Sequence, residues 1–141
     1  MSRIPRQIDR RLGIQRRKDK EVLMPHYLLQ LSYTSEAWAG LVASPKNRIK
    51  DVEPVIKKAG MKLVNSYLSF GEYDIVLIVD APDNVAVAGL AIDFAAGGSI
   101  KDMKTTPLIS WEDGVKAMRK AGKISYTPYK PASKTAARKK R

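Results

Sequence analysis

The sequence has no cysteine and one histidine, His26, in 141 residues. That excludes an internal disulfide, a thiolate nucleophile and a thiolate-bound metal. A lone imidazole among scattered carboxylates lacks the ligand spacing of a zinc site, so no metal and no cofactor are expected. Gly97-Gly98 has neither the preceding strand nor the lysine that a phosphate-binding loop needs. Long apolar runs are also missing. No stretch approaches the length of a membrane span, and the start lacks the apolar core of a secretory signal. The expectation is a cytoplasmic protein without membrane association.

Positive charge is in excess, with a formal net charge of +12. It is unevenly spread: residues 1–23 carry eight Lys/Arg against three acids, and residues 124–141 carry six against none. Residues 24–123 carry twelve against eleven, so the middle is nearly neutral. Nucleic-acid binding, if any, must run through the tails.

Three segments follow from this: a basic extension (1–23), one domain (24–123) and a basic tail (124–141). In the extension, Ile4, Ile8 and Leu12, with Ile14 just beyond, recur at near-helical spacing, which Gly13 weakens. An alternative origin is a start assigned too far upstream. Lys20-Glu21-Val22 is encodable as a bacterial ribosome-binding site just before Met24, which would make Pro25 the mature N-terminus. The tail Tyr126–Arg141 is too polar to bury a core and is expected to be disordered. It reads either as a solubilising extension or as a weak, non-specific, salt-sensitive nucleic-acid contact.

The domain has regular periodicity. Tyr27, Leu29, Leu31 and Tyr33 alternate with Leu28, Gln30 and Ser32, which marks a strand. Thr34 or Ser35 offers an N-cap for a short helix through Trp38 and Val42 that Ser44-Pro45 breaks. Ile49, Val52, Val55 and Ile56 predict a second helical stretch up to Gly60, with Pro54 kinking it or delaying its start. Met61–Phe70 and Tyr73–Asp80 read as strands joined by a tight turn at Gly71-Glu72, where Gly71 would supply a positive φ. Asp83 caps a helix over Val85–Ala96, stopped by Gly97-Gly98. Ser99–Ile109 is a fourth strand, with Pro107 indicating an edge or bulge. Ser110 and Asp113 open a last helix, Trp111–Lys120, that ends by Gly122. Trp38 and Trp111, each in a first helical turn, are expected to pack into the core. The order is the split βαβ of an α+β ferredoxin-like sandwich, βαββαβ, with an extra C-terminal helix.

Residues 75–79, Ile-Val-Leu-Ile-Val, are apolar on both faces of their strand. A ferredoxin-like sheet carries helices on one side, and a wet opposite face would alternate with polar residues. The missing cover is either a second copy, giving a dimeric α/β barrel, or the terminal helix folded back.

Three stretches resemble the GYD domain family: Tyr27–Trp38 (YLLQLSYTSEAW), Phe70–Val76 (FGEYDIV, with its Gly-x-Tyr-Asp) and Lys104–Leu108 (KTTPL). Together they span residues 24–121. The resemblance implies a ferredoxin-like fold and self-association as a dimer or larger homo-oligomer. It implies no reaction. A fainter, fold-level similarity is to the ligand-sensing domains of leucine-responsive regulators, which carry a helix-turn-helix that Met1–Leu23 is too short to supply.

The candidate binding residues are Gln30, Tyr67, Tyr73, Asp74 and Thr105, with Ser32 and Asn65 beside them. Gln30, Ser32, Asn65, Tyr67 and Thr105, neutral polar groups among apolar walls, suit a small-molecule pocket at a subunit interface more than a catalytic centre. Asp74, an acid heading an apolar strand, either pins the hairpin or orients a ligand. The alternative function is a small cofactor-free enzyme using Asp74, or Pro25 as an N-terminal base.

Overall fold

The computed structural model describes residues 24–132. The basic extension 1–23, with the helix read through Ile4–Ile14, and the end of the tail beyond 132 lie outside the described residues. The chain divides into two compact units, one ending at Ile109 and the other beginning at Ser110.

The first unit holds strand β1 (His26–Tyr33), helices α1 (Ser35–Ala43) and α2 (Ile49–Lys58), strands β2 (Lys62–Leu68) and β3 (Ile75–Asp80), helix α3 (Asn84–Ala96) and strand β4 (Ile100–Leu108). The four strands form one sheet in the order β2-β3-β1-β4. β1 is antiparallel to β3 and β4, and β2 to β3. This is the ferredoxin-like split βαβ, with two helices in the first crossover. Pro107 lies on β4, an edge strand, where a missing ladder donor is tolerated.

Alternation builds the core. Tyr27, Leu29 and Leu31 of β1 stand opposite Val79, Leu77 and Ile75 of β3. They pack with Ile56 of α2 and with Val87 and Leu90 of α3. Leu29, Val79 and Ile56 are fully buried, each contributing about 1.5–3 kcal/mol by loss of contact with water. Helix starts follow the expected caps: the side chains of Thr34 and Asp83 accept from the backbone N–H of Ala37 (3.1 Å) and Ala86 (2.9 Å).

Two local expectations are corrected, and the late start allowed for the second helix is ruled out. The β2–β3 connection is the six-residue loop Ser69–Asp74, not a tight turn at Gly71-Glu72. It closes by the Ser69 N–H donating to the Asp74 carbonyl (2.7 Å) and the Ser69 hydroxyl donating to the Tyr73 carbonyl (2.6 Å). A reversal spread over that many residues needs no left-handed residue at Gly71. Among the described glycines the positive φ values fall on Gly60 (80°) and Gly98 (78°), which terminate α2 and α3. Helix α2 begins at Ile49, where the Asn47 side chain accepts the Ile49 N–H at 3.1 Å, and it continues through Pro54.

The second unit contains helix α4 (Trp111–Ile124). Ser110 caps it by accepting the Asp113 N–H at 3.1 Å. The helix passes through Gly122 and ends at Ser125, whose φ of 53° is left-handed. Trp111 is 84% exposed, contrary to the expected core role. It is the first residue of α4, a helix in which no residue is buried.

Candidate functional site

Two surfaces of the first unit bear on function: the sheet face away from the helices, and a cavity on the helix side.

Pairing register fixes what the open face presents, because opposed residues share a face. One row across the sheet runs Lys104, Gln30, Val76, Tyr67. The next runs Thr106, Leu28, Ile78, Asn65. Leu28, Val76 and Ile78 are half-buried at its centre, Gln30 lies between them, and Tyr67 stands exposed at the β2 edge. The strand read as apolar on both faces therefore does place Val76 and Ile78 on the side without helices.

Several predicted residues fall elsewhere. Thr105 stands opposite Leu29, on the helix face, and does not join Gln30 and Tyr67. The reason is register: a one-residue offset turns a side chain to the other face, so Thr106 and Lys104 occupy the open side instead. Met103, packed against the core, was the available signal, since residues 103 and 105 share a face. Ser32 lies on the open-face register but is only 6% exposed, its hydroxyl donating to the Glu72 carbonyl at 3.1 Å.

Asp74 points toward the chain's own backbone. Its Oδ2 accepts the Tyr33 N–H at 2.8 Å and the Trp38 indole N–H at 3.2 Å. Its own N–H donates to the Leu31 carbonyl at 2.8 Å. The Trp38 ring meets Tyr33 edge-on, with centroids 5.1 Å apart. The acid thus ties the β2–β3 loop to the end of β1 and the start of α1. Beside it, loss of hydration raises the Tyr73 hydroxyl above the ordinary tyrosine range, and the negative charges of Asp102 and Glu72 add to the shift. At the far end of β1, His26 hydrogen-bonds Asp80. Among the described residues no group of three or more His, Asp and Glu side chains is arranged to hold a metal.

Sequence reasoning missed the cavity. It measures about 930 Å³ and opens between α1, α2, the sheet and the end of α3. Leu41, Val52, Val55, Ile75 and Phe94 wall it, and Trp38 and Tyr33 close one side. Of the predicted binding residues only Tyr67 borders it. Lys46 and Arg48, from the α1–α2 loop, stand at its edge. Both reach the same Asp51 oxygen, Oδ2, at 2.7 and 2.8 Å. The hydrogen bond from Lys46, reinforced by Arg48, lowers the Asp51 carboxyl below its ordinary range. Periodicity reports which residues turn inward but not where two helices leave a gap.

The antiparallel sheet, its strand order and the one-sided core define an α+β ferredoxin-like protein. Residues 27–118 match the model of the GYD domain, and the chain belongs to that family. It is similar to the glutamine synthetase and cystathionine beta-lyase binding protein of Thermus thermophilus, with 33% identity over 81 residues, covering 57% of this chain and 84% of that protein. Among solved structures it is similar to a transcriptional regulator from Neisseria meningitidis in complex with L-Met: TM-score 0.41, 14% identity, 92% of this chain and 79% of that one. It is also similar to the crystal structure of FFRP-DM1, with a TM-score of 0.39 and 15% identity over 61% of this chain and 100% of that one.

Proposed function

We propose that this GYD-domain chain is a non-enzymatic binding protein that pairs with itself through the open sheet face and holds a small molecule between the paired faces. The observation that carries this reading is the apolar centre formed by Leu28, Val76 and Ile78 on a face with no helix over it in the first unit. A solvated antiparallel face alternates apolar-in with polar-out, and this one does not. A two-fold partner covers such a face with an identical one. Gln30 and Tyr67, in one cross-strand row, supply the polar groups that would orient a ligand there. Against an enzymatic role for Asp74, its Oδ2 already serves two N–H donors of the fold.

Light scattering coupled to size exclusion tests the association. The expected result is a dimer or larger oligomer that Ile78→Asp dissociates while far-ultraviolet circular dichroism is retained. A monomeric wild-type protein overturns it. Native mass spectrometry of protein from its own host then reports any retained ligand.

A second reading rests on the name of the Thermus relative, which binds two metabolic enzymes. On that reading this chain docks on enzymes of the same kinds. Pull-down against purified glutamine synthetase and cystathionine beta-lyase of its own host distinguishes the two, and retention of neither removes the second.

A further inference from the structure

The helix-side cavity has a division of chemistry that the open sheet face lacks. Its main chamber is walled by aliphatic and aromatic side chains, Leu41, Val52, Val55, Ile75 and Phe94 among them. A smaller chamber of about 290 Å³ adjoins it. The two share Tyr33, Leu41, Lys46, Arg48 and Ser99 as lining, so they lie side by side. The charged residues bordering the small chamber are Lys46 and Arg48 alone, and the hydroxyl residues Ser44 and Ser99 join them. The acids Asp51 and Asp93 border the main chamber and not the small one.

The charges do not balance at that point. Lys46 and Arg48 converge on a single oxygen of one carboxylate, so two cations share one anion. Within the lining of the small chamber itself these two cations have no acid beside them. An arginine fork has donors beyond the one NH1 that reaches Asp51, and an ammonium has three. These donors suit a carboxylate, which accepts on both oxygens. An apolar chamber of this size beside a cationic side chamber matches a molecule with an apolar body and one acidic end.

We infer that this cavity binds an apolar monocarboxylic acid, its hydrocarbon or aromatic body in the main chamber and its carboxylate against Lys46 and Arg48. The site lies within one subunit on the side of the sheet opposite to the face proposed to pair, so it does not depend on self-association. Trp38 sits in its wall and reports occupancy. Trp111, the other tryptophan, is 84% exposed in the second unit and is replaceable by Phe, leaving one tryptophan.

The test is titration of the full chain carrying Trp111→Phe with decanoate, decanol and decylamine, each below its aggregation concentration. Trp38 emission and calorimetry are the readouts. Decanoate is expected to saturate at one molecule per chain and to bind at least about tenfold tighter than decanol, equivalent to about 1.4 kcal/mol. Lys46→Gln with Arg48→Gln should remove that preference and leave decanol binding unchanged. Both are surface residues, so loss of fold does not confuse the result, and circular dichroism checks it. No saturable binding, equal affinity for all three probes, or decanoate affinity unaltered in the double variant overturns the proposal.

Discussion

One carboxylate oxygen of Asp74 holds the indole N–H of Trp38, from α1, and the backbone N–H of Tyr33, at the end of β1. Three separate pieces of chain, the β2–β3 loop, the central strand and the first helix, meet at this acid. Hydrogen bonds to a charged group contribute about 1.5–3 kcal/mol, and unpaired buried donors cost about as much again. Asp74→Ala is therefore expected to lower unfolding free energy by about 2–3 kcal/mol, measured by urea denaturation. Asp74→Asn, which keeps an acceptor oxygen, should lose about half as much. Equal stability of Asp74→Ala and wild type would contradict the pinning role.

Tyr73 loses hydration in the loop and faces the negative charges of Asp102 and Glu72. Its proton is held more tightly in the folded than in the unfolded chain. The sign follows: its contribution to stability is fully present below the ordinary tyrosine range and is lost as pH rises through the raised folded value. In an ultraviolet difference titration of wild type against Tyr73→Phe, the Tyr73 phenolate should appear at higher pH than in a model peptide. Asp102→Asn should bring it part of the way back. A Tyr73 that ionises with the ordinary value removes the effect.

Adjacent residues on β4 give a direct check of register. Thr106 stands opposite Leu28 on the open face, and Thr105 opposite Leu29 on the helix side. Thr106→Lys is expected to weaken self-association at least about tenfold, the effect of about 1.4 kcal/mol. Thr105→Lys should leave the association constant within about twofold. Sedimentation of the two variants side by side decides it, and the reverse order would mean that β4 is shifted by one residue.

Asp51 gathers Lys46 and Arg48 on one oxygen, and its carboxyl lies below the usual range, chiefly through the Lys46 hydrogen bond. A lowered folded value stabilises the folded chain above the ordinary carboxylate range, and that contribution disappears as pH falls through the lowered value. Carbon-detected magnetic resonance should show Asp51 titrating below a model aspartate. Lys46→Gln should move it upward, and more than Arg48→Gln does.

Much of the fold was legible because it depends on local alternation. Tyr27, Leu29 and Leu31 announce a dry strand face by their spacing, and Thr34 and Asp83 announce helix starts through side chains that reach only a few residues along the chain. The two-sided apolar run 75–79 announced apolar residues on the face of the sheet away from the first unit's helices for the same reason. Gly71 misled because a glycine after an apolar strand looks like a tight turn, and nothing local shows that Ser69 and Asp74 close a longer loop. Thr105 misled because the face of an edge strand depends on its register with β1, a long-range pairing.

By itself, then, the sequence determined the strands, most helix boundaries, the capping residues and the near-neutral domain between basic ends, all consequences of side-chain periodicity and charge along one chain. Tertiary structure alone decided which way Thr105 and Asp74 turn, and that Lys46 and Arg48 share Asp51 beside an apolar cavity. Those facts arise where elements distant in sequence meet, and the gap left between packed helices and a sheet is a property of their arrangement in space.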